Sequence, residues 1–403
     1  MLKKIFVLII ILLIVALGWY VFNSKQKTSV SDPGITASST SIFPTINTIA
    51  DSISGAVTNI ISPTKPTDTS SLNSEIAGLL REIVRSESPN FILNESTDPS
   101  IVYIDNQTGN LFSLSLNDLK QKPVRISSMT ILDIFNIDGI VKNNSLLVVL
   151  DTIRNNSELK KTIITKSNIN GPTLTETGDI SDNVGSSIVS PYNSYIYYTE
   201  NMADKTQVYK IKAGVKNTVG ELPLSGWKLD ISGSKLIAYT YPDPSTKGYA
   251  YSFDQDSNKR EKLIMGTQNL SLKVSPDYKK IIYSAGNQDS NYLYILDRTE
   301  KINLPLTIST FAEKCLWSND SQNIFCAIPK KSLKGSDLTS WKRGEILFND
   351  YFVSIDATTG KITNLDSSSI DQNIDAINLK YSTTLRALIF TNKADLHTYI
   401  LGI

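Results

Sequence analysis

Val274-Ser275-Pro276-Asp277-Tyr278-Lys279-Lys280-Ile281-Ile282-Tyr283 reads as a β-hairpin seen from its turn. An apolar strand runs into Ser275, a polar turn follows, and a second strand opens at Lys280. Proline fixes φ at a turn position that owes the ladder no donor, and an aspartate side chain there bonds nearby backbone N–H groups. Working outward, Leu270 to Ser275 is an inner strand and Lys280 to Ala285 the second. Tyr292 to Asp297 is the third, and Leu304 to Ser309 the outer.

The layout recurs. Ser190-Pro191-Tyr192-Asn193-Ser194 leads into Tyr195-Ile196-Tyr197-Tyr198, and Ser318-Asn319-Asp320-Ser321-Gln322 into Asn323-Ile324-Phe325-Cys326. Ser382-Thr383-Thr384-Leu385-Arg386 precedes Ala387-Leu388-Ile389-Phe390, and a shorter copy spans residues 232–239. The serines at 190, 232, 275 and 318 stand 42, 43 and 43 residues apart. Four short strands per unit at a period of about 40–45 residues is the pattern of propeller blades. The expected fold is all-β, a propeller of about seven four-stranded blades over residues 89–403. The first two units, Ile101-Tyr103 with Leu111-Leu116 and Leu146-Leu150 with Thr162-Lys166, are less regular, so six and eight blades stay open.

The 274–283 hairpin resembles the S-P-D-G-K-x-I-x-Y/F turn of TolB-like and WD-like bacterial propellers, with Tyr278 where glycine is usual. That resemblance implies a fold for most of residues 90–403. It also implies the usual work of such propellers, binding proteins, peptides or sugars or serving as accessory domains of peptidases.

Ahead of the repeats, Lys3 and Lys4 precede an uncharged apolar run from Ile5 to Phe22. Eighteen residues is the lower limit for crossing a bilayer core of about 30 Å. The flanking lysines would hold the N-terminus in the cytoplasm. Residues 1–23 therefore read as a transmembrane anchor, with the propeller on the extracytoplasmic side. A cleaved signal peptide is the alternative, but Ala16-Leu17-Gly18 falls inside the run instead of after it. Residues 24–73 are a Ser/Thr/Pro-rich linker. Within it Ile42, Ile46, Ile49, Ile53, Val57 and Ile60 recur at helical spacing, a candidate amphipathic helix over 42–60. Ile76, Leu79, Leu80, Ile83 and Val84 predict a short helix over 74–88. The last blade offers three strands, residues 378–382, 387–391 and 397–401. A segment within 79–96 is expected to add the fourth, Phe91-Ile92-Leu93 being one candidate and Ile83-Val84 the other if that helix does not form.

The chemistry-bearing residues are few. The net charge is +1, which argues against a nucleic-acid binder. His397 is the single histidine, and no Gly-x-Ser-x-Gly elbow is present. Two cysteines and one histidine cannot form a Cys/His metal site. The expectation is a chain with no catalysis, cofactor or metal. Carboxylates brought together at the central opening, as in a glycosidase or lyase, are the rival reading.

Two features point to binding or stability. The 64 residues between Ser318 and Ser382 exceed the period, and the excess carries Lys330, Lys331, Lys334, Trp341, Lys342 and Arg343. Loops on rigid scaffolds are where binding concentrates; the plain alternative is a solvated loop whose Trp341 covers its own blade. With Asp320-Ser321 as a two-residue turn, Cys315 falls opposite Cys326, which predicts a disulfide in an oxidising compartment; the alternative is two buried thiols. Together these give a membrane-tethered module that binds or scaffolds an envelope protein, peptide or glycan.

Overall fold

The computed structural model describes residues 78–403, apart from 128–129, 154–158, 167–168, 170–174, 181–183 and 366–372. Among the described residues the strands form seven four-stranded antiparallel sheets. Six are built from four consecutive strands, the pattern of blades around an axis. Their inner strands are Phe91–Asn94, Ile134–Lys142, Val184–Val189, Trp227–Ser232, Ser271–Val274 and Cys315–Trp317; the seventh blade opens with Ala376–Ser382. The all-β propeller is therefore observed, with seven blades.

The recurring serine has a structural reason. In the fifth blade Ser275 Oγ donates to Asp277 Oδ1 (2.7 Å) and accepts from Lys280 N–H (2.9 Å), while Asp277 Oδ1 accepts from Lys279 N–H (3.1 Å). In the sixth, Ser318 Oγ donates to Asp320 Oδ1 (2.5 Å) and accepts from Asn323 N–H (2.9 Å), and Asp320 Oδ1 accepts from Gln322 N–H (3.0 Å). One hydroxyl and one carboxylate thus satisfy the donors of a turn that bends too sharply for ladder bonds. The turns also tie blades together: Ser232 Oγ donates to Ser275 O, and Asp277 N–H to Ser321 Oγ.

Apolar side chains alternate along the strands and meet between blades. Ile282, Leu293 and Ile295 of the fifth blade pack on Trp317, Ile324, Val353 and Ile355 of the sixth. Each such side chain, taken out of water, contributes about 1.5–3 kcal/mol before chain entropy is subtracted.

The ring closes differently from the helical expectation for 74–88. Leu80–Val84 is a strand, the outer one of the seventh blade, in the order Leu80–Val84, Thr398–Gly402, Ala387–Asn392, Ala376–Ser382. Leu80 pairs with Leu401 and Glu82 with Tyr399. The apolar spacing that suggested a helix also suits a strand edge, and the unpaired backbone of Thr398–Gly402 decides between them. Phe91-Ile92-Leu93 is not the closing segment; it is the inner strand of the first blade. His397 precedes strand Thr398–Gly402, and its Nδ1 lies 2.5 Å from Glu82 Oε1, a polar link across the closure. The outer strand of the fifth blade is Ile302–Pro305, earlier than expected. The expected anchor 1–23 and the helix 42–60 lie outside the described residues. Among those described, no helix is long and apolar enough to cross a membrane.

Candidate functional site

Because the inner strands run in one direction around the axis, the loops divide between two faces. One carries the serine turns. The other carries the long connection of the sixth blade, with its helix Gly335–Lys342. On that helix-bearing face Leu132, Phe135, Met202, Leu224, Tyr241 and Leu347 stand 41 to 57 % exposed. They come from loops or strand ends of the first, second, third, fourth and sixth blades. Among the remaining exposed apolar residues, Leu79, Val124, Val215, Met265 and Ile302 lie on or beside outer strands.

At the channel mouth of the same face a charged triad gathers three elements. Glu313, in the 3₁₀ turn Ala312–Lys314, accepts from Lys228 (3.0 Å) and Lys342 (2.7 Å). Burial pushes the Glu313 carboxyl up, but the two ammonium groups hold it well below the usual carboxylate range. Burial and the neighbouring Lys228 charge lower the Lys342 pKa, against the pull of Glu313. Tyr241 faces both lysines, with its ring centroid 5.6 and 6.0 Å from their ammonium nitrogens.

Deeper, a cavity of about 280 Å³ is lined by Asp230, Lys273, Glu313, Leu316 and Asn378, among others. Lys273 pairs with Asp230 at 2.8 Å. Asp138, on the inner strand of the second blade, accepts Val189 N–H at 2.7 Å; burial raises its pKa, opposed by Lys380. Two carboxylates, Asp230 and Glu313, line this cavity, and Asp138 lies on another inner strand. They belong to different blades, so no local motif could have announced them.

The structure separates the residues singled out in the long loop. Lys330, Lys331, Lys334 and Arg343 are exposed. Lys342 belongs to the triad. Trp341 is only 5 % exposed, stacked with Phe311 and Phe348, and its Nε1–H donates to Asp375 (2.8 Å). Its face takes Lys314 (4.7 Å) and Lys393 (4.4 Å). Beneath it the fully buried Lys314 bridges Asp375 (2.6 Å) and Asp350 (2.8 Å). Burial raises the Asp350 carboxyl to about 6 in spite of Lys314. This cluster fastens the helix to the sixth and seventh blades. The next residue, Cys315, lies opposite Cys326 in the register, and a disulfide joins them with Cα atoms 4.1 Å apart. Among the described residues no three His, Cys, Asp or Glu side chains form a metal-binding group.

No protein-family model matches the sequence, and no curated relative does. Solved structures share the fold. An oligogalacturonate lyase in complex with manganese aligns at a TM-score of 0.53 and 10 % identity, over 80 % of this chain and 92 % of its own. The Cps50 (Swd1) β-propeller domain of Myceliophteria thermophila aligns at 0.51 and 11 %, over 81 % and 100 %. A puromycin hydrolase aligns at 0.51 and 11 %, over 77 % of this chain but 51 % of its own, so this chain spans about half of that enzyme. TolB from Acinetobacter baumannii aligns at 0.39, too distant to argue from. These likenesses establish the propeller. They also correct the expectation that the chain is no enzyme: propellers of this shape occur in a lyase and a hydrolase. Catalytic groups drawn from separate blades leave no contiguous signature, so a missing motif is no ground for excluding activity.

Proposed function

We propose that this chain is a recognition module, tethered to a membrane through residues 5–22, that docks an extracytoplasmic protein or peptide on its helix-bearing face. The observation that carries this is the set of exposed apolar side chains that the loops and strand ends of five blades place on one face. Exposed apolar surface on one face of a rigid scaffold is characteristic of interaction sites. Leucine and methionine dominate the set, which suits protein better than glycan. Trp341, the one aromatic among the loop residues that the sequence offered for binding, is committed to the core. The test is affinity capture from native membranes with the full chain. A protein retained by the wild type should be lost with Leu224→Asp/Leu347→Asp. Equal capture by both chains overturns the reading.

A second reading rests on the channel charges. Asp138, Asp230 and Glu313 beside lysines supply groups for general acid–base chemistry. The lyase that shares the fold makes an acidic sugar polymer the first substrate to try. Formation of unsaturated product from oligogalacturonate, abolished in Asp138→Asn, would support it. No turnover by the wild type would remove this substrate.

A further inference from the structure

Glu313 Oε1 accepts from two ammonium groups at once, Lys228 at 3.0 Å and Lys342 at 2.7 Å. Three elements meet there: the inner strand Trp227–Ser232, the 3₁₀ turn Ala312–Lys314 and the end of the inserted helix Gly335–Lys342. Both nitrogens touch the same oxygen, so they are also neighbours of each other. Among the described residues neither lysine makes a second ion pair, and Arg343, next along the chain, turns to Glu345 (3.2 Å). The other titratable groups against the pair are the phenols of Tyr239 and Tyr241. One negative charge thus serves two positive ones in a half-buried place.

Like charges drawn together away from water favour release of a proton from one of them. A lysine that loses its proton in this way, beside a second cation, becomes an amine with a free electron pair. Glu313 holds Lys228 charged against its burial, whereas burial and the Lys228 charge together favour the neutral form at Lys342. The Lys342 side chain is 23 % exposed, so a reagent can reach it.

We propose that Lys342 is a nucleophilic amine that captures small aldehydes or ketones as imines. Its nitrogen pair adds to the carbonyl carbon, and the C=O π pair takes up a proton, giving a carbinolamine. The hydroxyl then leaves as water while the nitrogen pair forms C=N; one amine and one carbonyl become one imine and one water, with protons exchanged through solvent. The bond to Glu313 keeps the amine in place during the addition. Glu313 also lines the cavity of about 280 Å³, a volume suited to a short-chain carbonyl compound.

The test incubates the full chain with limiting glycolaldehyde and cyanoborohydride at pH 7 and follows the adduct on each lysine by peptide mass mapping. Lys342 should react about tenfold faster, or more, than the exposed Lys330 and Lys331 of the same insertion, the gain in free amine that one unit of pKa brings. Lys228→Met leaves Glu313 to a single lysine and should bring the Lys342 rate down to that of Lys330. A lysine that is merely accessible would not respond to Lys228. Should Lys228→Met fail to fold, Lys228→Gln, which keeps an N–H donor for Glu313 without the charge, gives the same decision. Three results would each overturn the proposal: Lys342 reacting no faster than Lys330, Lys228 reacting first, or an unchanged Lys342 rate in the Lys228 variant. The readout is mass on one residue, so it is independent of docking on the apolar face and of turnover of any polymer.

Discussion

The fifth and sixth blades begin from the same turn and are held by different forces. Ser275 and Ser318 make matching hydrogen bonds, and Tyr278 and Ser321 take the same left-handed conformation at φ 63° and 62°. The fifth blade then follows the repeat, with an inner strand Ser271–Val274 whose Lys273 forms a partly exposed ion pair. The inner strand of the sixth is only Cys315–Trp317. A buried lysine, a disulfide and an inserted helix take over what strand pairing does elsewhere. The repeat thus specifies a scaffold, and the blade that departs from it carries both the fastening of the helix and two members of the channel triad, Glu313 and Lys342.

The largest expected effect tests that division. Lys314→Met leaves Asp350 and Asp375 buried without their cation, which should cost about 3–5 kcal/mol. Lys273→Met, at the partly exposed pair of the fifth blade, should cost about 1 kcal/mol or less. Denaturant unfolding measures both, and equal losses would erase the contrast. Next comes the Cys315–Cys326 bond, which spans 11 residues. Its removal by Cys315→Ala/Cys326→Ala should cost up to about 3 kcal/mol in the chain-entropy account. No loss would mean that the short inner strand needs no covalent support.

The third effect is a pH dependence confined to the sixth blade. Asp350 has its pKa raised from 3.8 to about 6. The folded state therefore holds its proton more tightly than the unfolded chain does. The resulting stability is complete below pH 3.8, falls as the pH rises toward 6, and is gone above it; the amount is on the order of 3 kcal/mol. Asp350→Asn keeps an acceptor for Ala376 N–H and should flatten this part of the stability–pH profile. An unchanged profile would place the titration elsewhere.

What could be read from sequence followed from how local its cause is. The serine turns, the period and the opposition of Cys315 to Cys326 all follow from residues a few positions apart. For the closing strand Leu80–Val84 the sequence offers both a helix over 74–88 and, through Ile83-Val84, the ring-closing strand that forms, because its partner, Thr398–Gly402, lies more than 300 residues away and apolar spacing alone fits both forms. For Trp341 the sequence leaves two readings open, partner binding or covering its own blade, because Asp375 and Phe311, which fix its burial, belong to other segments. The channel was least legible. Lys228, Asp138, Glu313 and Lys380 each look like an ordinary charge within a strand or turn, and only closure of the ring makes them neighbours.

The smallest effect concerns Tyr278, the residue standing where related turns have glycine. A Cβ in the left-handed region costs roughly 1–2 kcal/mol. The side chain compensates: its ring lies 3.9 Å from the Arg298 guanidinium carbon, and its hydroxyl bonds Glu261 (3.0 Å) and Ser252. Tyr278→Ala loses those contacts and keeps the strain, whereas Tyr278→Gly loses both. The glycine variant should therefore be about 1 kcal/mol more stable than the alanine variant, and within about 1 kcal/mol of the wild type. At Ser321, at nearly the same φ, glycine should show a similar advantage over alanine, while both variants lose the tie between the blades that Oγ makes by accepting Asp277 N–H. Alanine matching glycine at position 278 would mean that the turn abandons its left-handed residue once the ring is gone. In that case the contacts of Tyr278, and not the Ser-Pro-Asp frame, would be holding the fifth blade in the shape it shares with the sixth.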